Sequence, residues 1–267
     1  MENCINKTYK SNLVVIPIEN EYGIMIENRG RNNYSEMISI IIPTYNEKEN
    51  IGKLIPSIHK ILKAYNYELI VVDDNSPDGT AKFAEELSEL YPIKVLKRNE
   101  KLGLASAILH GFHNSRGEIL GVIDADLQHS PEYLKNFVDS VCNGQDIAIG
   151  SRYVKGGKIE EWSNFRSIVS KGAIMLSAPL TGIKDPMSGY FFLKRKVIDN
   201  INFIPKGYKI LLEILVKGSY NEVTEFPITF RNRQNGKSKL NIKEYTNYIE
   251  LLYCLYGFKL KRIFNGR

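Results

Sequence analysis

Residues 38–47 read ISIIIPTYNE, a β-branched apolar run that stops abruptly at polar residues. Two later stretches have the same form: residues 69–76 read LIVVDDNS, and residues 119–128 read ILGVIDADLQ. Weaker apolar runs cover residues 93–96 and 147–149. Short continuous runs of this kind are typical of strands that are buried on both faces of a parallel sheet. These runs therefore predict a central sheet.

Stretches with helical apolar spacing separate the predicted strands. Between the first two runs, apolar residues recur at Ile51, Leu54, Ile55, Ile58, Ile61 and Leu62. Strands that alternate with helices predict an α/β fold, in which a mostly parallel central sheet is flanked by helices. Ligands bind such sheets beyond the carboxyl ends of the strands. The polar residues that follow each strand are therefore the candidate site.

Two carboxylates, Asp124 and Asp126, follow the strand at residues 119–123, and Gln128 adds a neutral oxygen two residues later. Oxygen ligands of this kind suit Mg²⁺ or Mn²⁺ bound together with substrate phosphates. A single Asp-x-Asp is more often a capped turn. Because three polar clusters end neighbouring strands, we favour a metal site over a turn.

Charge and motifs narrow the class of protein. The 267 residues carry a formal charge of +6, which favours an anionic partner such as a phosphorylated substrate, an acidic membrane surface or nucleic acid. The basic residues are dispersed, so we expect no nucleic-acid partner. The glycine-rich fingerprints of dinucleotide oxidoreductases and P-loop NTPases are absent from the sequence. Cys4, Cys142 and Cys254 lack metal-site spacing and fit a reducing cytoplasm.

Six segments carry a resemblance to a known family. In chain order they are PTYNE (43–47), DDNSPDGT (73–80), KLGL (101–104), DADLQH (124–129), GSRY (150–153) and DPMSGY (185–190). Over residues 38–240 the chain resembles the family 2 glycosyltransferases of the GT-A fold, and within them the dolichol-phosphate mannose synthase group.

The resemblance implies a role for each matching residue. It assigns nucleotide-sugar binding to Pro43, Tyr45, Glu47, Val72, Asp74, Lys101, Asp124, Ala125 and Asp126. It assigns the metal, Mg²⁺ or Mn²⁺, to Asp124, Asp126 and Gln128. It assigns the acceptor phosphate to Arg152, Arg233, Ser238 and Lys239, and catalysis to Asp124, Asp126 and Arg152. Arginines and a lysine are the cations that a phosphate requires.

The implied activity is a metal-dependent hexosyl transfer, from GDP-mannose to dolichyl or another polyprenyl phosphate, with inversion at the anomeric carbon. A lipid monophosphate is already anionic near neutral pH, its second pKa being about 6, so no strong general base is needed. The nearest alternative is a UDP-glucose or other UDP-hexose donor. A sugar nucleotidyltransferase and a non-catalytic, membrane-bound nucleotide-sugar sensor are more distant alternatives.

We predict three regions: an unassigned extension at residues 1–36, the catalytic domain at 37–240, and an amphipathic membrane-associating helix at 241–267. Apolar stripes at helical spacing run from Trp162 to Leu176 and from Ile242 to Ile263, and the second stripe ends among basic residues. Such helices are typical of membrane interfaces. We expect peripheral attachment at the cytoplasmic face, with no signal peptide or membrane span, and allow for a small membrane subunit as partner.

Overall fold

The computed structural model describes residues 36–160, 162, 164–204, 209–231 and 242–265. The predicted extension, except for Glu36, therefore lies outside the described residues. So do Arg233, Ser238 and Lys239 of the predicted acceptor site, and the boundary predicted at residue 240 stays a prediction.

A seven-stranded sheet forms the centre of the fold, in the order β3-β2-β1-β4-β7-β5-β8. Its strands are β1 (Ile38–Thr44), β2 (Tyr67–Asp73), β3 (Ile93–Lys97), β4 (Ile119–Val122), β5 (Ile147–Ser151), β7 (Phe191–Lys194) and β8 (Val223–Pro227). Only β7 runs antiparallel to its neighbours, β4 and β5. Two short strands, β6 (Lys158–Ile159) and β9 (Thr229–Phe230), pair in parallel beside the sheet.

The five predicted strands are all present, and the predicted α/β class is confirmed. Every residue of β1, β2, β4 and β5 is buried, which is why their apolar runs show no alternation. Strand β7 was not predicted, because its apolar run of three residues is too short to distinguish a strand from a helix.

The described part of the chain contains the helices α1 (Lys48–Leu62), α2 (Thr80–Leu87), α3 (Leu104–His113), α4 (Leu134–Cys142), α5 (Asn164–Thr181), α6 (Ile210–Lys217) and α7 (Ile242–Asn265). One core packs α1, α2 and α4 on one face of the sheet, and a second core packs α3 and α6 on the other. The predicted layers therefore agree with the structure.

A third apolar cluster joins α7 to α5 and α6. Helix α7 buries Tyr248, Leu251, Leu252 and Leu255 in this cluster. Of the apolar stripe between Ile242 and Ile263, Leu252 packs inside, whereas Tyr245, Ile249, Leu260 and Ile263 are exposed. In the described part of the chain, no helix is long and apolar enough to cross a bilayer.

Candidate functional site

The ends of β1 and β2 are fastened together by side chains of the first two predicted clusters. Thr44 donates its hydroxyl to Asp73 Oδ1 at 2.9 Å, and the Asp74 amide donates to the Thr44 carbonyl at 3.0 Å. The Glu47 amide donates to Thr80 Oγ1 at 3.0 Å. These bonds place the PTYNE and DDNSPDGT segments side by side, as predicted for one binding crevice.

The predicted nucleotide-binding residues of these segments lie close together. Pro43 and Val72 are directly paired in the register of β1 and β2. The Lys101 ammonium, from the loop between β3 and α3, lies 3.9 Å from the centroid of the Tyr45 ring. Glu47 is buried, and its carboxylate accepts a hydrogen bond from Asn50 Nδ2 at 2.6 Å. Tyr45 and Lys101 therefore lie together beside the paired ends of β1 and β2.

Both carboxylate oxygens of Asp74 have partners within the protein. Its Oδ1 is the acceptor of a buried ion pair with Arg98, and its Oδ2 accepts the Gly103 amide at 3.0 Å. The Arg98 guanidinium also donates to Ser106 Oγ at 2.7 Å. Asp74 and Arg98 thus hold the Lys101 loop against the start of α3, a role that sequence reasoning did not give them.

The Asp-x-Asp turn follows β4, as predicted. The Asp124 side chain is 29% exposed, whereas Asp126 is buried and accepts the Gln128 amide at 3.1 Å. Gln128 in turn donates its Nε2 to the Arg231 carbonyl at 3.1 Å. The glycine of the DPMSGY segment, Gly189, packs against the turn, since a Cβ there would lie 2.8 Å from Asp124 Oδ2.

A buried histidine, His129, lies next to the Asp-x-Asp turn. Its Nδ1 has no hydrogen-bond partner among the described residues and lies 3.7 Å from Asp124 Oδ2. Burial lowers the pKa of His129 to about 4, with the charge of Asp126 acting in the opposite direction. The imidazole is therefore neutral near pH 7. Its ring packs against Tyr190 and Phe230, with centroids 5.2 and 5.1 Å away.

The donors at this turn fit a hard divalent cation. Two carboxylates and a carboxamide supply oxygen ligands within five residues, and Mg²⁺-type ions commonly use one or two carboxylates and complete their shell with water and substrate phosphates. No group of three or more His, Cys, Asp or Glu side chains in the described ranges could hold a metal. The turn thus suits an ion that arrives with a diphosphate.

Arg152 follows β5 and is largely buried. Its Nε and Nη2 donate to the two carboxylate oxygens of Asp185, at 2.8 and 2.7 Å. Burial acts to lower the pKa of Arg152, but Asp185 raises it above the ordinary value, so the guanidinium stays charged. The ring of Phe230 lies 5.4 Å from this guanidinium and 5.1 Å from His129. The Asp-x-Asp turn and Arg152 therefore meet at Phe230.

A second arginine, Arg166, belongs to the same cluster. Its guanidinium lies 4.3 Å from the centroid of the Trp162 ring, and Arg152 lies 5.4 Å from that ring. In the sequence, Arg166 lies outside the apolar stripe that runs from Trp162 to Leu176. The spacing of an arginine four residues after a tryptophan was the pattern that could have identified it.

Glu213 of α6 makes its hydrogen bonds outside the cluster around Arg152. It is the acidic residue of an apolar helix and is itself buried. In the structure its Oε1 accepts the Ile204 amide at 2.8 Å and the Lys217 ammonium at 2.6 Å. These bonds give Glu213 a structural role in the segment before α6.

Comparison with known proteins shows the family to which the chain belongs. A family model described as glycosyl transferase family 2 matches residues 39–202. The chain is 48% identical to the dolichol-phosphate mannosyltransferase of Pyrococcus furiosus, over 82% of this chain and 63% of that protein. It therefore spans less than two thirds of that relative. It is 37% identical to the Saccharomyces cerevisiae enzyme of the same name, over 83% of this chain and 87% of that protein.

Solved structures share the fold at low sequence identity. A glucosyl-3-phosphoglycerate synthase from Mycobacterium tuberculosis, in complex with Mn²⁺, UDP-glucose and phosphoglyceric acid, matches with a TM-score of 0.62 at 19% identity, over 84% of this chain and 80% of that one. A mannosyltransferase from Pyrobaculum calidifontis, in complex with GDP-Man and Mn²⁺, matches with a TM-score of 0.53 at 21% identity, over 73% and 56%. The predicted GT-A fold is confirmed, and the chain belongs to glycosyl transferase family 2.

Proposed function

We propose that this chain transfers mannose from GDP-mannose to the phosphate of dolichol or another polyprenol, with inversion at the anomeric carbon. One observation carries the proposal: Asp124 of the oxygen-rich turn lies beside His129, the charged Arg152 lies beside Phe230, and these two rings are 5.1 Å apart. A site for a diphosphate donor thus lies next to a site for an anionic acceptor. Relatives named dolichol-phosphate mannosyltransferase, at 34–48% identity, support this substrate pair.

The donor subsite has three parts. The base and ribose of GDP-mannose would lie among Pro43, Tyr45, Glu47, Val72, Asp74 and Lys101. The diphosphate would lie at Asp124, Ala125 and Asp126. These two carboxylates and Gln128 would hold Mg²⁺ or Mn²⁺, which, when bound, stabilises the negative charge that develops on the departing diphosphate. The Lys101 ammonium adds a second positive charge near the nucleotide.

The acceptor subsite is cationic. Arg152 and Arg166 flank the Trp162 ring, which puts two positive charges beside the proposed position of the lipid phosphate. Arg233, Ser238 and Lys239, which lie outside the described residues, would add to it. Arginine pairs with phosphate through two parallel hydrogen bonds, which fixes the orientation of the phosphate as well as its position.

The reaction is a single displacement. One acceptor phosphate oxygen attacks the anomeric carbon of mannose, a carbon–oxygen bond forms, and the bond from that carbon to the diphosphate oxygen breaks. Because the attacking oxygen is already anionic, the protein contributes alignment and charge stabilisation in place of a general base. The buried His129, which is neutral near pH 7, is not required as a base.

Because a polyprenyl phosphate lies in a membrane, the protein must reach a membrane surface to use it as acceptor. Helices α5 and α7 expose apolar side chains, among them Ile168, Met175, Ile249, Tyr253, Leu260, Ile263 and Phe264. Lys261 and Arg262 are exposed at the end of α7. Exposed apolar residues next to cations suit peripheral binding to anionic lipid. We therefore assign residues 37–240 to catalysis and residues 241–267 to attachment at the cytoplasmic face.

The experiment that tests the function is a donor panel. Purified protein is incubated with Mn²⁺ or Mg²⁺, a short polyprenyl phosphate and either GDP-mannose, UDP-glucose or another UDP-hexose. We expect mannosyl lipid of inverted configuration from GDP-mannose alone. A productive UDP-hexose would replace the assigned donor, a retained configuration would contradict the displacement, and nucleotide-sugar binding without transfer would indicate a sensor.

A further inference from the structure

The loop between α5 and β7 contains Asp185, an aspartate of the DPMSGY segment that the proposed reaction leaves without a role. Its side chain is fully buried, with 0% exposed. Its Oδ2 accepts hydrogen bonds from the Arg152 amide at 3.0 Å and from Arg152 Nε at 2.8 Å, and its Oδ1 accepts one from Nη2 at 2.7 Å. The last two form the paired arginine–carboxylate contact, which fixes geometry most strongly.

The other neighbours of Arg152 explain why this partner matters. The rings of Tyr153, Trp162 and Phe230 lie 5.3, 5.4 and 5.4 Å from its guanidinium carbon. Aromatic faces attract a cation but do not fix the rotation of a guanidinium about its own axis. The carboxylate of Asp185 therefore determines which edge of the Arg152 guanidinium points towards the acceptor subsite.

Asp185 is held in turn by Glu225 of β8. The two oxygens of the Glu225 carboxylate accept the backbone amides of Lys184 and Asp185, each at 3.0 Å. Strand β8 pairs in parallel with β5, and Glu225 lies opposite Ile149, three residues before Arg152. Glu225 on the edge strand β8 thus holds the backbone of Asp185, and the Asp185 carboxylate holds the Arg152 guanidinium.

We propose that Asp185 and Glu225 are positioning residues for the acceptor phosphate. Asp185 takes the Nε and Nη2 edge of the guanidinium, so the Nη1 and Nη2 edge is the one presented to a phosphate, in the geometry of a paired contact. The inference rests on the proposed function, because it requires that Arg152 binds the phosphate of the lipid acceptor.

The chain offers a direct measurement of binding at this site. Trp162 is its single tryptophan and lies 5.4 Å from Arg152. Titrating the intact protein with a short polyprenyl phosphate, and separately with the corresponding polyprenol, should change the tryptophan fluorescence without donor or turnover. The difference in Kd between the phosphate and the alcohol measures what the cations contribute.

The test variant is Asp185→Asn, which keeps the side-chain size but leaves one terminal acceptor in place of two. We expect the Kd for the polyprenyl phosphate to rise about tenfold, as for loss of a hydrogen bond to a charged group. The Kd for polyprenol should not change. In the transfer assay, KM for the lipid should rise while KM for GDP-mannose stays the same. Glu225→Gln should shift the same constants by less, and it carries the test if Asp185→Asn folds poorly.

A matched control is Asp146→Asn. Asp146 is also buried and also accepts backbone amides, from Asn221 and Glu222, but it lies at the opposite end of β5. We expect a lower melting temperature and an unchanged Kd for the lipid phosphate. In an Arg152→Lys background, Asp185→Asn should add little, since a lysine cannot form the paired contact.

The outcomes are decisive. The inference is overturned if Asp185→Asn binds the polyprenyl phosphate as the wild type does, or if its Kd values for phosphate and alcohol rise equally. Failure of the wild-type protein to form mannosyl lipid would instead count against the proposed function, and the fluorescence titration separates the two cases.

Discussion

The Lys101 ammonium lies 3.9 Å from the centroid of the Tyr45 ring, so a loop that follows β3 is joined to one that follows β1 by a cation–π contact. In sequence, strands β2 and β3 lie between these two residues. Their contact places a positive charge on an aromatic surface at the proposed nucleotide subsite, where both groups can serve a nucleoside diphosphate.

Replacing Lys101 by methionine should weaken binding of the donor. The variant keeps an unbranched side chain over Tyr45 but removes the charge, so we expect KM for GDP-mannose to rise about tenfold, with KM for the lipid unchanged. Lys60→Met, which removes the charge of an exposed lysine near the end of α1, is the control and should behave as the wild type. Steady-state kinetics with each substrate varied in turn would check this, and equal changes in both KM values would contradict it.

Asp126→Ala should abolish metal-dependent turnover. The substitution removes one of the two carboxylate charges of the turn and also the acceptor of the Gln128 amide, so the remaining ligands would be both weaker and less well placed for a divalent ion. We expect a fall in kcat of at least about a hundredfold, with a melting temperature that stays above the assay temperature. The exposed Asp199→Asn serves as a control for surface charge. Near wild-type activity of Asp126→Ala at saturating Mn²⁺ would show that the metal assignment is wrong.

Gly189→Ala tests the close packing around Asp124. The added Cβ would lie 2.8 Å from Asp124 Oδ2, so the carboxylate or the loop must move. Because metal ligands tolerate little displacement, we expect the Mn²⁺ concentration for half-maximal activity to rise several-fold. Gly52→Ala is the control, since its Cβ would meet only the end of the flexible Phe83 side chain, at 3.1 Å. An unchanged Mn²⁺ titration for Gly189→Ala would refute the argument.

Much of this fold could be predicted from local sequence. The runs at residues 38–42, 69–72 and 119–123 are strands because their neighbours bury them on both faces, and an unbroken apolar run records that burial. Strand β7 was missed because FFLK is short and its antiparallel direction is set by pairing with β4 and β5. Pairing of this kind leaves no periodicity in the sequence.

Some residues of the site could likewise be identified from local sequence, and others could not. Asp124 and Asp126 could be identified because they follow a predicted strand, and Arg152 because it belongs to the GSRY segment that carries the family resemblance. The partners of Arg152 could not, since Asp185 lies 33 residues away and Glu225 is 40 residues beyond Asp185. Likewise, the pair of Asp74 and Arg98 depends on β2 and β3 lying side by side. Contacts that tertiary packing creates are not visible in local spacing.

Stability at acidic pH should depend on Asp146. Burial acts to raise its pKa, but hydrogen bonds from Asn221 and Lys196 outweigh burial and lower the pKa to about 2. A carboxyl group with a depressed pKa stabilises the fold above its unfolded pKa, and this contribution is lost as pH falls from about 4 towards 2. Asp146→Asn should cost roughly 1 to 3 kcal/mol near pH 7. The difference from wild type in denaturant unfolding should shrink below pH 3, and a constant difference would contradict this.

Membrane binding should depend on the exposed apolar face of α7. Ile249 and Ile263 are each 56% exposed, so replacing them by glutamate removes no core contact and should leave the melting temperature unchanged. If these side chains enter the lipid interface, their loss and the added negative charge should weaken binding to anionic vesicles by at least about tenfold for the double variant. Leu90→Glu is the matched control, because Leu90 is 74% exposed and follows α2, away from α5 and α7. Vesicle flotation with phosphatidylserine-containing liposomes measures the effect, and equal binding by wild type and the Ile249→Glu, Ile263→Glu variant would exclude α7 as the membrane contact.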